Sequence, residues 1–167
     1  MRSEPTRSEL LSTAISAART GGEILTGYFR GPGAGGSGLE VEHKSKNDLV
    51  SQADRESEAA IIERILGDYP DHRVLGEESG WSGEPGEFEW ILDPLDGTTN
   101  FLHGLPVYAV SVACRHRGEL VIGVVLEPET DRLFGAARGL GATCNGRPKT
   151  PPGDSAAQRP SLRLRWS

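Results

Sequence analysis

Residues 90–100 read WILDPLDGTTN, and this stretch decides how the rest of the chain is read. Three apolar residues suit a buried strand, but a strand that needed only a turn could end on Asn-Gly or Pro-Asp. Here two carboxylates, a proline, a glycine and two threonines follow instead. Proline fixes its own φ and drives the preceding residue toward extended backbone, so Asp93-Pro94 aims a carboxylate at little entropic cost. Gly97 lets the backbone approach a ligand closely, and Thr98 and Thr99 offer hydroxyls and free amides at the start of a short helix. Asp93, Asp96 and the Leu95 carbonyl can converge on one or two hard cations. All these donors are oxygen, which favours Mg²⁺ or Mn²⁺ over zinc.

Upstream, residues 88–92 and 73–75 read as short strands, each ending in a carboxylate-bearing loop: DPLDGT at 93–98 and GEES at 76–79. A helix is expected from Thr6 to Phe29, with Thr6 and Glu9 as a capping box and Leu10, Leu11, Ala14, Ile15, Ala18 and Leu25 at helical spacing. Residues 31–38, GPGAGGSG, read as a flexible loop. Residues 39–43 alternate like a short strand. A second helix is expected to begin near Ser51, with Asp54 in its first turn, with Ala59, Ile62, Ile65, Leu66 and Tyr69 inward, and with Pro70 ending it.

Downstream, residues 107–114, 120–126, 132–136 and 142–144 read as successive strands divided by turn signals, an antiparallel meander. Helices followed by a meander indicate a layered α+β fold. Beyond Asn145-Gly146 the periodicity stops, so the expectation is a domain over residues 1–148 and a disordered or aberrant tail over 149–167.

The chain has 167 residues, 36 % of them hydrophobic, which suits one globular domain or the larger part of one. Its apolar runs fall short of the roughly 18–20 residues a membrane-spanning helix needs, and residues 1–9 have no apolar signal core. The protein is therefore read as cytoplasmic, with no membrane partner. A net charge of −6 disfavours a nucleic-acid partner. Cys114 and Cys144 show no zinc spacing and read as reduced thiols. His43, His72, His103 and His116 are dispersed and read as surface or satisfied-core residues.

A lone Asp-Pro-x-Asp is more readily an ordinary turn, and Glu77 and Glu78 alone are more readily solvated acids. Their combination with Asp54 brings several negative charges onto the strand ends of one small domain, which is costly unless a cation offsets it.

KSKNDLVSQAD (44–54), GEES (76–79) and WILDPLDGTTNFLHG (90–104) closely resemble the N-terminal signatures of the inositol monophosphatase family of Mg²⁺-dependent, lithium-sensitive phosphatases. VYAVSVA, the GVV strand and GATCNGRP extend the likeness to about residues 10–148. The resemblance implies a layered αβαβα fold, here only its N-terminal helices and antiparallel sheet. It implies that Glu77, Asp93 and the Leu95 carbonyl hold a first Mg²⁺, and that Asp93 and Asp96 contribute to a second. Intact relatives use two or three ions, Mn²⁺ being an alternative, and form homodimers. The amides of Gly97 and Thr98 would hold the substrate phosphate, while Thr98 and Asp54 orient the attacking water, so that Thr98, Asp54 and Glu77 are the catalytic set.

The implied reaction is hydrolysis of a phosphate monoester, by default myo-inositol phosphate to myo-inositol and phosphate, by in-line displacement without a phosphoenzyme. Histidinol phosphate and fructose bisphosphate are the alternatives within the family. Glu78 and Ser79 would support the loop, Trp81 would sit in a loop over the site, and Asn100 and Phe101 would pack beneath it. The family's later Trp-Asp dipeptide is absent, since the tryptophans at 81, 90 and 166 do not precede aspartate. The expectation is thus a truncated, impaired phosphatase, against a non-catalytic metal-binding remnant. A haloacid-dehalogenase-type phosphatase, with an aspartyl phosphate, fits less well because its aspartates stand one residue apart.

Overall fold

The computed structural model describes residues 4–31 and 43–149. The glycine-rich loop beyond Gly31, the tail beyond Lys149 and residues 39–42 of the strand expected over 39–43 lie outside the described residues; His43, the last residue of that expected strand, is helical.

Helix α1 (Arg7–Arg30) starts at the expected capping box: the Glu9 amide donates to the Thr6 hydroxyl at 3.2 Å, and the Thr6 amide donates to the Glu9 carboxylate at 2.7 Å. Helix α2 (His43–Asp68) begins eight residues before Ser51, which places Asp54 in the helix interior and not in its first turn. The cause is the buried stripe Val50, Ala53, Asp54, Ser57, Glu58, Ile61 and Ile65, which keeps helical spacing but is polar in its middle. Apolar periodicity alone therefore starts too late; Ile65 is buried and Ile62, Leu66 and Tyr69 pack against the core as expected, but Ala59 is exposed and Ile61, fully buried, was missed. The two helices pack closely at Gly21, where an added Cβ would lie 2.6 Å from Ile61 Cδ1.

The strands are β1 (Arg73–Gly76), β2 (Gly80–Ser82), β3 (Phe88–Asp96), β4 (Ala109–His116), β5 (Glu119–Glu127), β6 (Arg132–Ala137), β7 (Gly141–Cys144) and β8 (Arg147–Pro148). They form one sheet in the order β2-β1-β3-β4-β5-β6-β7-β8. From β3 onward it is the expected antiparallel meander, while β1 pairs with β3 in parallel. Trp81 lies in strand β2 and not in a loop; its ring covers the Arg73 guanidinium at 3.8 Å. The core joins α1 and α2 to the sheet face carrying Trp90, Leu92, Val110, Val112, Ile122, Val124 and Leu133. None of the described helices is long and apolar enough to cross a membrane.

A stacked ladder, Tyr69 on His72 (4.6 Å), His72 on Phe88 (4.5 Å) and Phe88 on His116 (4.2 Å), closes one end of this core. Buried His72 accepts a hydrogen bond at Nδ1 from Trp90 Nε1 at 3.0 Å, which defines the neutral tautomer protonated at Nε2. Burial pushes its pKa down to about 4. An imidazole depressed in the folded state keeps its full contribution above the unfolded value of about 6.5 and loses it as pH falls from there through about 4. His72→Phe keeps the stack but orphans the indole N–H, so urea unfolding at pH 7 should show a loss of about 1–3 kcal/mol. The variant's deficit should shrink as the pH is lowered from 6.5 to 4; a constant deficit would show that His72 is not held neutral.

Candidate metal and phosphate site

The site is built by an irregularity in β3. Pairing with β4 runs regularly to Asp93 opposite Ser111, then resumes at Asp96 opposite Ala109, so β3 carries one extra residue. A one-residue insertion inverts the facing of every later side chain. Regular alternation would send Asp96 into the core; the bulge sends Leu95 there and returns Asp96 to the face of Asp93. Pro94 sits inside the irregular stretch, where its missing N–H costs no ladder bond. The sequence reading ended this strand at Leu92, whereas the strand extends through the DPLD segment.

After the bulge the chain turns at Gly97, whose φ is +95°, into α3 (Thr98–Leu102). A Cβ at Gly97 would stand 3.0 Å from the Val107 carbonyl, so glycine is required both for the left-handed backbone and for the close approach. The Leu95 amide donates to Asp93 Oδ1 at 3.2 Å, and the Thr98 hydroxyl donates to the Leu95 carbonyl at 3.0 Å. Both bonds stiffen the loop. Asn100 donates to the Val107 carbonyl at 2.8 Å and Phe101 is buried, the supporting roles expected for them.

The second contribution comes from α2. Asp54 is 7 % exposed, and its Oδ1 has no hydrogen-bond partner among the described residues. Burial first, then the charges of Glu78, Glu77, Asp93 and Glu58, pushes its pKa up to about 7. Asp93 is likewise pushed up to about 6 by burial, then by Glu77 and Asp96. Asp54 thus lies within charge-interaction range of Glu77 and Asp93, and Asp93 within range of Glu77 and Asp96, with Gly97 and Thr98 next along the chain.

One acid escaped the sequence reading. Glu58, one turn after Asp54, is 2 % exposed and accepts from the amides of Glu78 (2.9 Å) and Ser79 (2.8 Å). The available signal was the i, i+4 spacing of two acids on an otherwise apolar stripe.

Among the described residues, no three His, Cys, Asp or Glu side chains form a cluster able to hold an ion by themselves. The expected set includes three carboxylates, Glu77, Asp93 and Asp96, and they do not form such a group here. The donor chemistry fits a hard cation: oxygen atoms throughout, like charges crowded together, and a buried carboxylate oxygen without a donor.

Comparison with known proteins supplies the family. The inositol monophosphatase family matches over residues 6–164, and the chain belongs to it. That match runs beyond residue 148, into the segment read above as a tail. Similar relatives include a Nus factor SuhB of Pasteurella multocida, 46 % identical over 81 % of this chain and 50 % of its own length, and one of Pseudomonas aeruginosa, 41 % identical over 83 % and 51 %. Among solved structures, an inositol monophosphatase from Anabaena (Nostoc) aligns with a TM-score of 0.70 at 38 % identity, over 84 % of this chain and 48 % of that one. The chain spans about half the length of the curated relatives it matches.

Proposed function

We propose that this chain serves Mg²⁺-dependent hydrolysis of a phosphate monoester, with inositol monophosphate as the default substrate and histidinol phosphate or fructose bisphosphate as alternatives. The observation that carries the reading is the bulge in β3, which brings Asp93 and Asp96 to one face beside the unpartnered oxygen of Asp54. Glu77, Asp93 and the Leu95 carbonyl would hold one ion and Asp93 with Asp96 a second, Mn²⁺ being able to replace Mg²⁺. Such ions lower the pKa of a bound water and neutralise charge on the leaving oxygen.

The chain's own groups supply the rest. The amides of Gly97 and Thr98, at the start of α3, would hold the substrate phosphate, Gly97 bringing no side chain into the way. The Thr98 hydroxyl, fixed by its bond to the Leu95 carbonyl, and Asp54 would hold the attacking water between them. Asp54 is suited to accept a proton because burial holds its carboxyl near neutrality. Lithium sensitivity, a homodimer and a cytoplasmic location belong to the same proposal, as do a domain ending near residue 148 and an impaired rate.

Phosphate release from inositol 1-phosphate should require Mg²⁺. Release unaffected by chelation would refute the reading. A second reading comes from the relatives named Nus factors: the fold would serve as a binding surface, with no need of the acids. Mg²⁺ uptake without turnover of any of the three substrates would favour it.

A further inference from the structure

The turn that carries Glu77 is held from an unexpected side. Glu77, Glu78 and Ser79 are all exposed, so burial of their own side chains does not fix the turn. What reaches it is the buried carboxylate of Glu58 on α2, one oxygen accepting from the Glu78 amide at 2.9 Å and the other from the Ser79 amide at 2.8 Å. The same carboxylate packs against Gly76 at the end of β1, where an added Cβ would lie 2.5 Å from Glu58 Cδ. A nearly inaccessible carboxylate needs charge-assisted donors, and the two amides are those donors.

We propose that Glu58 is a positioning residue for the site: it clamps the turn after β1 on both sides of the Glu78 peptide and so directs Glu77 toward Asp93. This rests on the phosphatase reading above, in which Glu77 is a cation ligand. The acid at 58 never touches the cation or substrate in this scheme. It acts through backbone, and only a side chain of glutamate length with two acceptor oxygens serves both amides. Aspartate is one carbon short, and the glutamine amide nitrogen presents a donor to a donor.

The test combines amide hydrogen exchange by NMR, on the metal-free chain, with Mn²⁺ titration in the absence of substrate. In the wild type, the exposed-turn amides of Glu78 and Ser79 should be protected. In Glu58→Gln their exchange should quicken roughly 10-fold, the equivalent of one lost charge-assisted bond. Mn²⁺ affinity should fall by about 10–100-fold, as when a partner that orients a ligand is removed, while circular dichroism stays unchanged. Gly76→Ala, which pushes the carboxylate away without altering any acid, should reproduce both effects and carries the test if Glu58→Gln does not fold. Unprotected Glu78 and Ser79 amides in the wild type would overturn the clamp, as would a folded Glu58→Gln with unchanged affinity. Failure of the wild type to bind Mn²⁺ at all would instead sink the phosphatase reading, leaving the clamp to be judged on exchange alone.

Discussion

Trp90→Ala should destabilise the chain by about 4–8 kcal/mol. Trp90 is fully inaccessible, pairs across the sheet with Cys114, and stacks near Tyr69 at 6.0 Å. Truncating a buried tryptophan removes its transfer free energy and leaves a cavity, together about 3–5 kcal/mol. Loss of its N–H also strips the buried His72 Nδ1 of its donor, adding roughly 1–3 kcal/mol. Against a total stability of about 5–15 kcal/mol for a typical domain, this is about a quarter at the least and the whole of it in a marginal one. Urea midpoints should fall by about 2–4 M for an m-value near 2 kcal/mol/M. Trp81→Ala is the control: that ring is 46 % exposed and covers only Arg73, so its loss should cost no more than about 1 kcal/mol. Equal midpoints for the two variants would mean that Trp90 does not anchor this core.

The contrast between these tryptophans shows what could be read from sequence. Trp90 lies in a strand that buries alternate residues, and β3 to β6 were legible because each buries one face. Trp81 has glycine on one side and serine on the other, so strand β2 left no alternation to detect. The parallel pairing of β1 with β3 was hidden for another reason: parallel partners need no hairpin turn between them, and nothing local marks the match. The start of α2 was misplaced because Asp54, Ser57 and Glu58 occupy its buried stripe. Polar residues there break the apolar period for the sake of the site.

Legibility of the site divides along the same line. Asp93, Leu95, Asp96, Gly97 and Thr98 lie within six residues, and the stiff Asp-Pro and the bare glycine announce a ligand loop by local chemistry. That Asp93 and Asp96 share a face follows only from the register with β4, which requires knowing the bulge. Glu58 reaches across about 20 residues of chain to backbone amides, and backbone partners leave no trace in side-chain identities.

Asp93→Asn should change stability in opposite directions without and with Mg²⁺. In the metal-free chain Asp93 is partly buried beside Glu77 and Asp96, and its carboxyl is pushed up to about 6. For a carboxyl raised in the folded state, the stabilising contribution is whole below the unfolded value of about 3.9 and is lost as pH rises through about 6. At pH 7 the ion therefore opposes folding. Asparagine keeps the shape and the acceptor for the Leu95 amide while deleting the charge. The metal-free variant should melt a few degrees above wild type at pH 7, at roughly 2–4 °C for each kcal/mol gained. At pH 4 that advantage should vanish, because the wild-type carboxyl is then protonated. With saturating Mg²⁺ the order should invert under the proposed function: a ligand at 100 times its dissociation constant adds about 2.7 kcal/mol to the wild type and little to a variant missing the charge proposed for both cation positions. Calorimetric scans of both proteins at pH 4 and 7, with and without Mg²⁺, measure all of this. A variant that melts below wild type in metal-free buffer at pH 7 would show that the Asp93 carboxylate is structural, and that the crowding of acids at this loop is not strain awaiting a cation.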